Sequence, residues 1–507
     1  MRRVWICAAL ALLLAPVLRG QWSMELRPGR KQLFIDDEVV GKLRNLRRRL
    51  HQPVKNPVEP ILRPEHPWEN LALQTRNAPF WDPQAGVWKL YYLAFVARDG
   101  DAHASCLAVS RDGLRWEKPA LGLVDWAGSK QNNLVTAPGN EADFLYHVLY
   151  DPGDVPARRF KGLFGISRRQ PAVSADGLHW TRLPVAAVPS QDESQLNYDP
   201  VTRQFIATVK HEGPYGRSVY LALSRDFETW TKPELVFHAD GVDQERGRRR
   251  LAERLTDARY TPLTINQPDQ YNVDVYNMPA FPYEGLYLGL PMKFHQSGPT
   301  PIGNQDGFHH VELVVSRDLR HWSPVADRAV FIPNAPAGPG VYDTGTIVPP
   351  TRPVAREREL WFYYTGIKRR FQPENVKVGT DGKPRYVSVP DSGAIYLARL
   401  RPEGFVSLDA GDLEGSVTTL PLTLAGKRLF CNADAAAGQL RAEIMDARGQ
   451  KPIAGYNLEA CQPLTGDHVD AELRWKGAAG LAALPKEPVR LRFVLRNASL
   501  YAFWLTD

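Results

Sequence analysis

A seven-residue motif recurs four times along the chain, each time after an apolar run: Ser110-Arg-Asp-Gly-Leu-Arg-Trp116, Ser174-Ala-Asp-Gly-Leu-His-Trp180, Ser224-Arg-Asp-Phe-Glu-Thr-Trp230 and Ser316-Arg-Asp-Leu-Arg-His-Trp322. Repetition at this level requires one supersecondary unit to be built several times over. The Asp can accept from backbone amides two residues on and close a turn, and Gly at the next position permits positive φ. The Trp can then pack back on the strands. The motif is structural, not catalytic, and the four Trp are expected to be buried at equivalent places.

A second unit accompanies it: a strand, an Asp-Pro or similar turn, and an aromatic-rich strand. The copies are Ala78-Pro-Phe-Trp-Asp82-Pro83 into Trp88-Lys-Leu-Tyr-Tyr92, then Phe144 to Tyr150-Asp151-Pro152 into Phe160-Lys-Gly-Leu-Phe164, then Leu196-Asn-Tyr-Asp199-Pro200 into Gln204-Phe-Ile-Ala-Thr208. A fourth runs from Met278 to Pro282, turns at Glu284-Gly285 and continues as Leu286-Tyr-Leu-Gly-Leu290. The fifth is Thr346-Ile-Val-Pro349-Pro350 into Leu360-Trp-Phe-Tyr-Tyr364 and lacks the Trp motif, as a closing unit would. Five hairpin units of about four strands each predict an all-β, five-bladed β-propeller over residues 60–410. Composition agrees: 39 Gly, 42 Pro, 13 Trp, 19 Tyr and 19 Phe suit short strands, tight turns and aromatic pins, not a helical bundle.

From about 411 onward short alternating strands such as Leu440-Arg-Ala-Glu-Ile444 and Val489-Arg-Leu-Arg-Phe-Val494 predict a separate β-sandwich over 411–507, with residues 21–59 as an N-terminal arm. Residues 241–257 break the β pattern with dense charge. They are expected to be a solvated, briefly helical insertion, the alternative being a lid or an anionic-substrate contact. The basic runs Arg47-Arg-Arg49 and Arg248-Arg-Arg250 are taken as surface charge, with recognition of uronate or sulfate as the alternative.

Met1-Arg2-Arg3, the apolar run Val4 to Leu18 and Arg19-Gly20 predict a secretory signal over 1–20, hence a secreted or periplasmic protein, with a retained membrane anchor as the alternative. Removing it takes three arginines and no acid from a formal net charge of +7, too weak a basic balance for a nucleic-acid partner. Apart from this terminus no apolar run reaches the roughly 18 residues of a membrane helix. Cys7 lies in the signal. Cys106 reads as a core residue, and Cys431 and Cys461 as either a disulfide or two buried thiols.

The hairpin units, the Ser-x-Asp turns, the opening Leu33-Phe-Ile-Asp-Asp37 and the trailing sandwich together resemble the five-bladed propeller glycoside hydrolases, the invertase, levansucrase and arabinanase superfamily of glycoside hydrolase families 32, 43 and 68. Sialidases carry a similar box, but with a residue between Asp and Gly, whereas Asp112-Gly113 and Asp176-Gly177 are adjacent here. The resemblance implies a glycosidase acting on a carbohydrate substrate. Its carboxylates would enter the central funnel from the innermost strands, one to protonate the leaving oxygen and one to attack or to activate water.

The acids ahead of the hairpins are Asp143 in unit two, Asp192 and Glu193 in unit three, Asp274 in unit four and Asp343 in unit five, and these are the expected catalytic set, converging in one pocket. Arg76, Asn77, His147, Tyr271 and Tyr276 are expected around the sugar, with Arg76 as counter-charge. Registering Trp88–Tyr92 on the second strand of an invertase puts Asn77 where the nucleophilic Asp would be. An amide is no base, so the register is off, the acid comes from another unit, or the chain is a non-catalytic carbohydrate-binding propeller. No metal motif is present: His309-His310 are adjacent and no H-x-x-x-H or C-x-x-C occurs. No cofactor is expected, although the resemblance admits a structural Ca²⁺ in the channel. The absence of G-x-S-x-G, P-loop and dinucleotide fingerprints removes serine-hydrolase, NTPase and Rossmann readings.

Overall fold

The computed structural model describes residues 23–97, 101–139, 142–373, 376–378, 382, 384–386, 389–478 and 480–507. The expected signal over 1–20, with Cys7, lies outside the described residues. The chain is mostly strand, and it divides into a larger body (33–36 and 47–408) and a smaller one (the described residues up to 32, 37–46 and 409–507). The expected arm over 21–59 is therefore not a separate element, because it contributes strands to both bodies.

In the larger body the described strands form antiparallel groups in chain order, here numbered one to five. Group two pairs Leu145–Tyr150, Phe160–Phe164, Arg168–Ser174 and Thr181–Arg182, and group three pairs Ser194–Asp199, Gln204–Gly213, Gly216–Ser224 and Glu234–Phe237. Group four is cut across into two four-stranded sheets, Asn272–Asn277 continuing as Ala280–Tyr283 and Leu286–Gly289 as Met292–Pro299. Pro279 and Pro291 sit at these cuts, where a residue without an N–H cannot continue the ladder. Groups one and five share a nine-stranded sheet. Its two halves are centred on the pairs Val87–Ala97 with Asp101–Ser110 and Glu359–Ile367 with Gly393–Leu400, and Gly393 pairs with Ala72 between them. Val54–Lys55, from before group one, pairs with Gly393–Leu400 of group five, so the start of this body completes its last group. Central strands such as Phe160–Phe164 are buried throughout, the mark of strands covered on both faces.

The four motif copies adopt one geometry. Ser110, Ser174, Ser224 and Ser316 each donate to the Asp two residues on at 3.0–3.1 Å, and each Asp accepts the amides two and three positions further. The residue after the Asp has positive φ in every copy: 78° at Gly113, 79° at Gly177, 66° at Phe227 and 65° at Leu319. Each Trp indole then donates to the carbonyl of that residue, at 2.9–3.3 Å. The four rings are half-buried, not fully buried as expected, because they cap the edges of their sheets. A Cβ on Gly162 of the neighbouring strand would lie 2.5 Å from the Trp180 ring, so that glycine makes the close approach possible.

Residues 241–257 are helical as expected, but only one face is solvated, since Asp243, Gly247, Leu251 and Arg254 are buried. Gly241–Thr256 is a helix, α1, opened by a reciprocal cap between Asp240 and Asp243. Asp243 pairs with buried Lys293 at 2.7 Å and with Arg328 at 2.8 Å, and Arg250 reaches Glu312 at 2.6 Å. Of the expected surface run, Arg248 and Arg249 are at the surface and Arg250 is tied inward.

In the smaller body the strand Arg428–Asp446 pairs with Ala498–Thr506 through its first half and with Val489–Arg496 through its second, with a register shift between Ala435 and Leu440 along its pairing with Leu464–Leu473. Met24–Leu26 and Val40–Arg44 add to the same hydrogen-bonded network. Cys106, Cys431 and Cys461 are free and buried. No helix among the described residues is long and apolar enough to cross a membrane.

Candidate functional site

The first strands of groups one to five meet side by side, laced by polar side chains. Asn77 follows the strand Ala72–Gln74; its amide donates to the carbonyls of Tyr91 (3.2 Å) and Tyr146 (3.4 Å), while its Oδ1 accepts from the Val148 amide (3.0 Å). Asn197 repeats the device, donating at 2.9 Å to the carbonyls of Ala280 in group four and Thr351 in group five. Thr351 in turn donates to the Arg76 carbonyl at 2.7 Å. Asn77 is therefore a backbone clamp that needs both a donor and an acceptor, which an aspartate could not supply. This accounts for the departure from the invertase pattern.

Glu193, 3% exposed, stands where these strands begin. Arg76 holds it bidentately, with Nε on Oε2 at 3.0 Å and Nη2 on Oε1, and Tyr146 Oη (3.0 Å) and Asn277 Nδ2 (2.9 Å) also donate to Oε2. Burial works against the Arg76 charge, but Glu193, Tyr146 and Asp192 together outweigh it and the guanidinium stays above its ordinary pKa. With both oxygens taken by donors, Glu193 anchors Arg76, Tyr146 and Asn277.

Asp192 precedes it in the left-handed region, φ 76°, and its carboxylate takes hydrogen-bond partners different from those of Glu193. Its Oδ2 accepts from Lys210 Nζ at 2.7 Å and Tyr276 Oη at 3.0 Å. Surrounding protein works to raise the Asp192 carboxyl, yet Lys210, Arg76 and the Tyr276 hydroxyl bring it down to about 2. The side chain nonetheless keeps 47% of its surface accessible, against 3% for Glu193 and 1% for Asp274. It is an ionised carboxylate with an open side.

Asp274, on Asn272–Asn277, has the opposite environment. Burial raises its pKa, and Arg217, which donates to Oδ2 at 2.9 Å, offsets that only in part. Gln296 also donates to Oδ2, at 2.8 Å, while buried Oδ1 has no partner among the described residues. Arg217 and Lys210 both lie over the Tyr276 ring, 5.1 and 4.0 Å from its centroid, which links Asp274 to the Asp192 network.

The other expected residues fall elsewhere. Asp143 is exposed and paired with Arg182 at 3.0 Å. Asp343 is buried and, among the described residues, its carboxylate bonds to Lys55 (2.5 Å) and Tyr364 (2.8 Å) and not to the cluster around Asp192. The five acids therefore do not converge: Asp192, Glu193 and Asp274 share a network, whereas Asp143 and Asp343 are held in ion pairs of their own. His147 is buried, bonded to Ser194 at 2.9 Å, and kept neutral by burial and by Arg169 and Arg76. Tyr271 bonds to Asn266, away from the acids, while Tyr276 is central. The sequence reading missed Tyr146, Arg169, Lys210, Arg217 and Asn277. For the three cations the one signal is charge within a strand, as Lys210 after Phe205–Val209; Tyr146 and Asn277 gave none.

No group of three or more His, Cys, Asp and Glu among the described residues is placed to hold a metal ion. Where the strands meet, the residues do not fit the Ca²⁺ that the resemblance admits. Asn197 Oδ1 is an unpartnered oxygen there, far short of the six to eight that Ca²⁺ takes.

No protein-family model and no curated protein matches the chain. Solved structures to which it is similar include an N-acetylgalactosamine deacetylase from F. plautii in complex with blood group B trisaccharide, at 13% identity and TM-score 0.39, covering 70% of this chain and 95% of that one. The catalytic domain of the Coprinopsis cinerea GH62 α-L-arabinofuranosidase aligns at 12% identity and TM-score 0.39, covering 69% and 97%. An α-L-arabinofuranosidase from Podospora anserina in complex with cellotriose aligns at 10% identity and TM-score 0.38, covering 70% and 98%.

Proposed function

We propose that the chain is an exported glycoside hydrolase: a five-bladed β-propeller in which each antiparallel group is one blade, followed by a β-sandwich, cleaving a poly- or oligosaccharide at the cluster around Asp192. The observation that carries this reading is the pair Asp192 and Asp274, two carboxylates in one network whose surroundings push their pKa values apart. Glycosidic cleavage requires that asymmetry. Asp274, the acid form of which burial favours, donates its proton to the leaving oxygen. Asp192, ionised, either bonds to the anomeric carbon or takes a proton from the attacking water, and the spacing of the two carboxyls on bound substrate decides which. Lys210 and Tyr276 orient Asp192, Arg217 orients Asp274, and the Glu193–Arg76 pair fixes the floor.

The test is reducing-sugar release from a glycan panel by the purified chain, followed by the pH profile of kcat/KM on the best substrate. The acid limb should fall well below pH 4, where Asp192 takes up a proton, and the alkaline limb should lie above the ordinary carboxylate range, where Asp274 loses one. An alkaline limb inside the ordinary carboxylate range, or an acid limb above pH 4, would contradict the assignment.

A second reading, a non-catalytic carbohydrate-binding propeller, is favoured by the ion pairing of every acid in the cluster: Arg76 with Glu193, Lys210 with Asp192 and Arg217 with Asp274. Sugar binding without release of reducing ends would put this reading first.

A further inference from the structure

The first strands have a second end. Glu193 stands before Ser194–Asp199, and Tyr198 lies five residues on, roughly 16 Å away at the rise of an extended strand. The same order holds in group two, where Tyr146 precedes Tyr150, and in group four, where Tyr276 precedes Phe281. At these far ends the larger body has a cavity of about 730 Å³ to which all five groups contribute, among them Trp81, Tyr150, Tyr198, Tyr283 and Arg352. The Asn77 and Asn197 clamps lie between it and the acid cluster, so the two are distinct.

Its walls are mostly aromatic rings and prolines, and its charged side chains are Arg352 and Asp151, the latter paired with buried Lys161 at 3.5 Å. Tyr283 is committed to Glu403 at 3.2 Å. Arg352 makes no hydrogen bond or ion pair among the described residues, and burial alone acts on its charge, lowering its pKa. An arginine without an acceptor, partly withdrawn from water among rings, is costly unless something supplies the anion. Trp81, 42% exposed at the margin, offers a flat apolar face of the kind that stacks on ring compounds; Trp88 lies beside it with ring centroids 5.8 Å apart and Arg356 over its ring at 4.9 Å.

We propose that this basin is a binding site, separate from the acid cluster, for a carboxylate carried on a six-membered ring, with Arg352 taking the carboxylate and the aromatic walls taking the ring. Two sources share that chemistry, a uronic-acid residue of a glycan and an aromatic acid. The experiment titrates the full chain with D-glucuronate, benzoate and D-glucose, following Trp fluorescence and calorimetry. At least one of the acids should bind with glucose at least tenfold weaker, and whichever acid binds identifies the source. Arg352→Gln should weaken that binding at least tenfold, Arg352→Lys should restore part of it, and exposed Trp81→Ala should weaken it without shifting the melting temperature. Because Arg352 holds no hydrogen-bond or ion-pair partner among the described residues, neither Arg352 variant should lower the melting temperature. Binding of glucose as tightly as of the acids, binding of neither acid, or acid binding that survives Arg352→Gln would each overturn the proposal. Since Asp192 lies at the other strand end, Asp192→Asn should leave the titration unchanged, which separates this result from the fate of the hydrolase reading.

Discussion

At the residue scale, chemistry is set by which atoms a side chain must satisfy, and a one-dimensional pattern shows residue types but not those partners. Asn77 illustrates this: its amide serves two carbonyls and one N–H. Asn77→Asp should therefore not install a nucleophile. A carboxylate there faces two carbonyls at 4% exposure, and the variant should lose about 3 kcal/mol in chemical denaturation. A gain in sugar hydrolysis at unchanged stability would restore the invertase register. Glu193→Gln makes the complementary case, because it leaves Arg76 buried without its anion and should cost about 3–5 kcal/mol. If stability held and only turnover fell, Glu193 would be the catalytic acid that sequence position suggested. Asp192 and Glu193 were legible as an acidic pair, but the positive φ at Asp192 and the different partners of the two were not.

At the scale of elements, the repeat was the most legible feature, since one turn geometry imposes one residue pattern. All four Ser-x-Asp-x-x-x-Trp copies have the hydrogen bonds expected from their sequence. What the pattern did not carry was burial, because the Trp rings cap sheet edges and their depth depends on the neighbouring strand. Trp180→Ala should accordingly cost about 2–3 kcal/mol, below the loss for a core aromatic, read from a shift in the denaturation midpoint. The turns also set an acid dependence. In Asp226, burial works to raise the carboxyl, but the amides of Thr229 and Glu228 and the Ser224 hydroxyl together hold it at about 2. A depressed carboxylate contributes in full above its unfolded pKa and loses that contribution as pH falls through the folded value. The melting temperature should therefore drop between pH 4 and 2, and Asp226→Asn should flatten that slope. An unchanged slope would remove the turn from the account. Helix α1 was legible as a helical break in the β pattern, but its buried face was not, because its charges find partners on strands remote in sequence, Lys293 and Glu312, which local charge density cannot reveal.

At the scale of the whole molecule, five aromatic hairpins were enough to place the groups in order, because each group is local in sequence. Closure was not legible. It depends on Val54–Lys55 returning to Gly393–Leu400, a pairing across more than three hundred residues with no motif on either side. The same distance effect hid the site, since Asp192 gathers Lys210 from its own group and Tyr276 from the next, while Asp143 and Asp343, equally placed in sequence, are drawn off by Arg182 and Lys55. The account's central claim is that Asp192 and Asp274 are an acid–base pair. It is tested most directly by single-turnover sugar release by the wild type, Asp192→Asn and Asp274→Asn, with ligand-induced melting shifts recorded on the same samples. The account predicts release by the wild type and at least a thousandfold loss in both variants, with the sugar-induced melting shift retained. Wild-type levels of release from either variant, or a melting shift without release from the wild type, would contradict it.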